Sequence, residues 1–257
     1  MNTPVLLAEG LSVRFGGLLA VDDVSLAIPK ACIHGLIGPN GAGKSTLFNA
    51  ITGLVRASQG RVCLLGTDVT RDGPDRRAAA GMRRTFQSVQ LIKEFTVLEN
   101  VMIGLHTELY TRSRGLSFMS ARSERAAQQR VLEVLDFLGI GALVLRPAGE
   151  LSFGQQRFVE IARALVAKPV LLMLDEPAAG LSPAEVQRLD RLLRTLRADW
   201  GMAILLVEHV LSLIMDLSDR VTVLDNGRRI AEGPPQAVAD DPRVKAAYLG
   251  EEADAEA

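Results

Sequence analysis

A chain of 257 residues with 29 Lys and Arg against 30 Asp and Glu has a formal charge of −1, which excludes a basic nucleic-acid coat. With 48% hydrophobic and 23% charged residues it can build one large core or two modest ones, and intrinsic disorder is excluded. The longest apolar runs, Val170 to Leu174 and Met202 to Val207, are far short of the roughly 20 residues that span a bilayer; with no signal-peptide core and with Cys32 and Cys63 in neither a disulfide framework nor a zinc motif, the expectation is a soluble protein of the reducing cytosol.

Strand-like and helix-like periods alternate along the chain, the pattern of an α/β fold with a mainly parallel core sheet. Leu6 to Ile28 reads as short strands turning at Gly16-Gly17 and at Asp22-Asp23, an antiparallel β subdomain because no helix separates them. A buried strand follows over Ala31 to Ile37, then a helix over Lys44 to Leu54 and a strand over Gly60 to Leu65. From Thr96 to Leu145 strand signals vanish and Val131, Leu135 and Leu138 recur at helical spacing, predicting a helical subdomain over 96–149 inserted between core segments 1–95 and 150–250. Val170 to Leu174 reads as a continuous apolar strand. Ser182-Pro183-Ala184-Glu185 combines an N-cap, a proline at the first helical position and a capping-box glutamate, ahead of Val186, Leu189, Leu193 and Leu196 on one helix face. Ala203 to Val207 is the next strand, and Val221 to Ile230 should fold across Asn226-Gly227 as a type I′ hairpin. The acidic tail 251–257 is expected to fray.

The chemistry is concentrated in a few strings. Gly38-Pro39-Asn40-Gly41-Ala42-Gly43-Lys44-Ser45-Thr46 fits G-x-x-x-x-G-K-[ST] between an apolar strand and a helix, the context that motif requires. Glycines let successive backbone N–H groups face phosphate oxygens, and the helix N-terminus adds partial positive charge. Lys44 would reach the β- and γ-phosphates and the Ser45 hydroxyl would ligate Mg²⁺. A metal also needs a carboxylate, and Asp175 supplies one at the end of an apolar strand. Side chains alternate along a strand, so Glu176 should point elsewhere and be available to polarise a water in line with the γ-phosphate.

With these two motifs goes Leu151-Ser152-Phe153-Gly154-Gln155-Gln156-Arg157, which resembles the LSGGQ signature of the ATP-binding cassette of ABC transporters, with Phe153 in place of its first glycine. Phe86-Gln87 resembles that family's Q-loop, Val207-Glu208-His209 its switch histidine, Phe15 its adenine-stacking aromatic, and Ala179-Gly180-Leu181-Ser182 its D-loop, with Ser182 where many relatives carry Asp. His34 and His106 have no such context and read as structural or solvated. The resemblance implies a P-loop NTPase of the ABC ATPase fold that binds ATP and Mg²⁺ through Phe15, Gly38 to Thr46, Gln87 and His209, with Ser45, Gln87 and Asp175 near the metal. It implies Glu176, His209, Lys44 and Gln87 as catalytic residues. Ser152, Gly154 and Gln155 would serve the ATP held by a second, identical or sister, ATPase subunit in a head-to-tail dimer. Further implied partners are separate membrane permeases and, indirectly, an extracytoplasmic solute-binding protein, with the chain peripheral on the inner face of the cell membrane and no nucleic acid involved. Phe15-Gly16-Gly17, Asp175 to Leu181 and the ending Asp241-Pro242-Arg243-Val244 to Tyr248-Leu249-Gly250 look like the ATPase subunits of branched-chain amino-acid importers. Urea or amide importers and the lipopolysaccharide-exporting ATPase share parts of this pattern. A non-transport cassette of DNA repair is the rival of a different class; its long coiled coils do not fit between Gln87 and Leu151.

Overall fold

The first apolar alternation folds as a long hairpin in the computed structural model, which describes residues 3–106 and 121–255. Strands β1 (Leu6–Phe15) and β2 (Leu18–Ile28) run antiparallel around Gly16 and Gly17. The turn expected at Asp22-Asp23 is instead a bulge within β2: Asp23 takes a left-handed φ of 51°, the register shifts around it, and its N–H donates to the Ser12 hydroxyl at 3.0 Å. On the other edge of β1 lies β4 (Gln59–Leu64), paired in turn with the two-residue β5 (Thr67–Asp68), which completes an antiparallel sheet.

The second sheet is built from short, fully buried strands: β3 (Ile33–Ile37), β7 (Leu171–Asp175) and β8 (Ala203–Val207). Strands covered on both faces read as apolar runs and not as alternations, which is why these three stood out in the sequence. With β6 (Met82–Arg84), β9 (Arg220–Asp225) and β10 (Arg228–Gly233) they form a sheet ordered β10-β9-β3-β8-β7-β6, parallel except for the β9–β10 hairpin. That hairpin turns on Asn226 and Gly227 at φ 47° and 77°, the left-handed pair a type I′ turn demands.

Helices α1 (Lys44–Thr52) and α2 (Pro74–Ala79) belong to the first half. The helical segment contains α3 (Val97–Met102), opened by a Thr96–Glu99 capping box, and α4 (Ala121–Phe137); residues 107–120 of the predicted helical subdomain lie outside the described residues. An isolated bridge between Thr96 and Pro147 brings the two ends of the segment together. Its described residues belong to the main core: Val101, Leu105 and Val131 share one hydrophobic cluster with Phe158 and Leu165 of α5 (Phe153–Leu165) and with Leu172 and Leu206 of the sheet. Helix α6 (Pro183–Asp199) begins on the predicted Ser182–Glu185 capping box and buries Leu189, Leu192, Leu193 and Leu196, while Val186 is only partly covered. Three helices end the fold: α7 (Leu211–Leu217), α8 (Pro235–Asp240) and α9 (Pro242–Ala255). The acidic tail expected to fray is thus helical as far as Ala255, consistent with the high helix propensity of Glu and Ala; residues 256–257 are outside the described range. Among the described residues no helix is long and apolar enough to cross a membrane, and Cys32 and Cys63 are buried and unpaired with each other.

Of the two readings open for His34, structural or solvated, the structure selects the first. His34 is fully buried, with Nε2 2.8 Å from the Thr222 hydroxyl, and burial lowers its pKa from 6.5 to about 4. The unfolded chain therefore takes up this proton first, so stability is complete above pH 6.5 and is lost as the pH falls towards 4, by about 3 kcal/mol from this group. In denaturant titrations between pH 7 and 4, His34→Gln should flatten the pH slope by that amount; an unchanged slope would show that His34 is not buried neutral.

Candidate active site

Strands β3, β7 and β8 all finish at one end of the parallel sheet, where open α/β sheets place their ligands. The loop Gly38 to Gly43 leaves β3 and opens α1. At Gly43, φ is 96° and a Cβ would come within 2.5 Å of the Ala20 carbonyl oxygen, so the loop approaches β2 as closely as it does only with glycine there. The N-cap Gly43 supplies no side-chain cap to α1, and the N-terminal end of a helix attracts an anion. Lys44 is buried, and its ammonium donates to the carbonyls of Gly38 at 2.6 Å and Pro39 at 2.8 Å, which holds the charge against the loop. Ser45 beside it is exposed.

Asp175 and Glu176 part company for a reason other than strand alternation. β7 ends at Asp175, and Glu176 has already left it in a left-handed conformation with φ 48°, anchored by its N–H to the Val207 carbonyl at 2.8 Å. Such a φ is uncommon outside glycine and asparagine, and here it brings the carboxylate into the cleft. One carboxylate oxygen of Glu176 accepts from Gln87 Nε2 at 3.1 Å and the other lies 2.8 Å from His209 Nε2. An ionised carboxylate only accepts, so Nε2 is the protonated nitrogen of His209 in this pair. Asp175 remains buried, and desolvation pushes its carboxyl above the usual range against the opposing pull of Arg84, whose guanidinium is 3.7 Å away.

A cleft of about 590 Å³ unites Phe15, the loop from Asn40 to Thr46, Gln87, Glu176 and His209. Of the other predicted residues, Gly38 and Pro39 form the base of the loop that grips Lys44, and Asp175 is buried. Ser152, Gly154 and Gln155 do not line this cleft. They start α5, where Ser152 and Gln155 form a reciprocal capping box, the backbone N–H of Ser152 donating to Gln155 Oε1 at 3.0 Å. Gly154 is buried, and a Cβ there would fall 1.9 Å from Glu185 Oε1, so a larger residue would have to displace the carboxylate that caps α6. Phe153, the departure from the signature, lies over Gly180, where a Cβ would meet the ring at 2.8 Å, with the Arg157 guanidinium 5.7 Å from the ring centre.

Three neighbours of the cleft were given no role by the motifs, although Arg157 and Glu208 stand inside two of the strings. Arg84 is sandwiched between the rings of Phe48 and Phe86 at 4.8 and 4.7 Å and donates to Asn49 Oδ1 at 2.7 Å, tying α1, the segment before Gln87 and Asp175 to one guanidinium. Arg157, buried in α5, donates to the carbonyls of Phe86 at 2.9 Å and Gln87 at 2.8 Å and pairs with buried Glu160 at 3.0 Å. Glu208, also buried, accepts the Ala178 N–H at 2.6 Å and joins the end of β8 to the segment after Glu176. In the sequence, Arg84 two residues before Phe86, and the places of Arg157 and Glu208 inside the signature and switch strings, were the signals that could have pointed to this layer.

The donor set suits a nucleotide with Mg²⁺. Among the described residues no group of three or more His, Cys, Asp and Glu could hold a metal unaided. One exposed hydroxyl, Ser45, and one carboxylate, Asp175, are the sparse protein ligation that Mg²⁺ accepts when phosphate oxygens and water fill its other positions.

Comparison with known proteins agrees with this geometry. A family model described as ABC transporter matches residues 21–179, and one described as branched-chain amino acid ATP-binding cassette transporter matches residues 228–254. The chain is 41% identical over 254 residues to the high-affinity branched-chain amino acid transport ATP-binding protein BraF of Pseudomonas aeruginosa, covering 98% of this chain and 100% of the relative. To LivG of Escherichia coli K12, which carries the same description, it is 43% identical over 256 residues with the same coverage. Its structure matches the crystal structure of an ATP-binding cassette of an ABC transporter in the ADP conformation with a TM-score of 0.84 at 36% identity, over 97% of this chain and 100% of that one. A nucleotide-free cassette gives 0.83 at 35% identity, over 96% and 99%. The chain therefore belongs to the ABC transporter family, as one of its ATP-hydrolysing subunits.

Proposed function

We propose that this subunit powers the import of branched-chain or other hydrophobic amino acids, working on the inner face of the membrane beneath separate permease subunits that receive solute from an extracytoplasmic binding protein. Support comes from the descriptions of BraF and LivG and from the C-terminal match over residues 228–254. The observation that carries the catalytic part is the Glu176 carboxylate, gripped by Gln87 and His209 on the same cleft as the Lys44 loop.

In this reading Phe15 offers a ring to the adenine, the N–H groups of the loop and Lys44 bind the phosphates, and Ser45 and Asp175, with Gln87 beside them, would hold Mg²⁺. The metal, when bound, supplies charge neutralisation on the β- and γ-phosphates. Glu176 orients a water and takes its proton, and His209 and Gln87 hold that carboxylate in place. Ser152, Gly154 and Gln155 complete the site of a second cassette, identical or sister, packed head to tail. Arg157 joins the signature helix directly to the backbone of Gln87, so a shift of α5 moves the residue that contacts Glu176.

The composite site is tested by mixing variants of the assembled complex. Ser152→Arg adds bulk and charge at the signature surface and leaves that chain's own Lys44 loop intact. In a homodimer, Lys44→Ala and Ser152→Arg on one protomer should disable both sites; with one change on each protomer, one site is doubly disabled and the other stays whole. With a sister chain as partner, the equivalent changes go on defined chains. ATP stoichiometry should follow this pairing, and an effect of Ser152→Arg confined to the nucleotide of its own chain would refute composite sites.

A further inference from the structure

A second cleft, of about 510 Å³, opens at the opposite end of the parallel sheet, where β3, β7 and β8 begin. Lys30 precedes β3, Lys168 to Val170 precede β7, and Trp200 to Met202 precede β8, so three strand entries held side by side by the sheet register build most of it. It shares no lining residue with the cleft that holds Lys44 and Glu176.

Its walls are apolar, with Val5, Leu65, Val170, Met202 and the indole of Trp200 among them, and its charged lining groups are Lys30 and Lys168. No Asp or Glu lines it, and neither ammonium has an ion-pair partner among the described residues. The stem of Lys30 is laid along Gly201, where a Cβ would stand 2.9 Å from Lys30 Cε, so this side chain forms part of the wall. An apolar pocket of several hundred cubic ångströms with a few polar or charged groups is the ordinary form of a small-molecule site.

The lining discriminates among solutes by charge and by body. A neutral apolar solute would gain nothing from the two exposed ammonium groups, and an amine would be repelled by them. Inorganic phosphate would answer the charge but bury nothing against Val170 and Met202. We propose that this cleft binds an organic monoanion with an apolar body, a medium-chain or aryl carboxylate, as a site separate from the nucleotide. Trp200 also stacks at a tilt on Phe137 at the end of α4, with ring centroids 5.0 Å apart, so the bound molecule would lie beside a contact between the helical segment and the sheet core.

Trp200 is the single tryptophan of the chain, and its emission reports on the cleft directly. Sodium octanoate titrated into the full chain without nucleotide should give a saturable change in emission and a matching calorimetric isotherm, while octylammonium at the same concentrations should give neither. Lys30→Gln combined with Lys168→Gln should weaken octanoate by about tenfold or more with ATP hydrolysis unchanged, which separates this site from the nucleotide site. Leu65 is half-exposed with φ 51°, a conformation aspartate tolerates better than leucine, so Leu65→Asp should fold and lose most of the octanoate affinity. Equal binding of octanoate and octylammonium, octanoate binding that the lysine changes leave intact, or no saturable signal by either method would overturn the proposal.

Discussion

Glu176→Gln should keep MgATP affinity within a few-fold of the parent while turnover falls by about 10²–10⁴, or about 3–5 kcal/mol of barrier. The exchange is nearly isosteric. A glutamine can still accept from Gln87 Nε2 through its oxygen, and its amide can donate to His209 once that ring adopts the other tautomer, so the cluster keeps its shape. What disappears is the basic oxygen that takes a proton from water. Binding and phosphate release should be measured on one preparation. Near-normal hydrolysis would remove Glu176 from the catalytic residues and leave its left-handed backbone, φ 48°, without the functional explanation offered for it.

Lys44→Ala should weaken MgATP binding by roughly 10²-fold or more, about 3 kcal/mol, and with it abolish turnover. The ammonium is poised for phosphate by two carbonyls of its own loop, those of Gly38 and Pro39, and charge-assisted hydrogen bonds are the strongest available to a phosphate outside a metal. Circular dichroism should show the fold intact, because α1 still buries Leu47, Phe48 and Ile51. Calorimetry giving unchanged affinity would refute the assigned role. The two substitutions also separate binding from chemistry, since the first spares affinity and the second does not.

Much of the architecture was legible because it is written in short-range rules. A type I′ turn needs left-handed residues at Asn226 and Gly227, a capping box needs Ser182 and Glu185 three apart, and a buried strand needs an unbroken apolar run such as Leu171 to Leu174. Where local signals conflicted, tertiary pairing prevailed: Asp22-Asp23 carries turn chemistry, yet β1 pairs on both sides of it and absorbs the extra residue as a bulge.

The amino-acid order was sufficient, without coordinates, for the α/β class, for the phosphate loop from Gly38 to Thr46 and for the candidates Asp175 and Glu176, because each depends on residues within a few positions of one another, whereas His209 was a candidate only through the resemblance of Val207-Glu208-His209 to a family motif. Which of them meet depended on the folded sheet. Gln87 lies 89 positions from Glu176, and His209 33 from it; Arg157 reaches the Phe86 carbonyl across 71. No period or cap relates residues at such distances; they become neighbours only when β7 and β8 pair in register and α5 packs against the sheet. The Arg84 sandwich and the second cleft at the strand entries arise in the same way, from side chains that local rules treat as unrelated and that the order of parallel strands brings together.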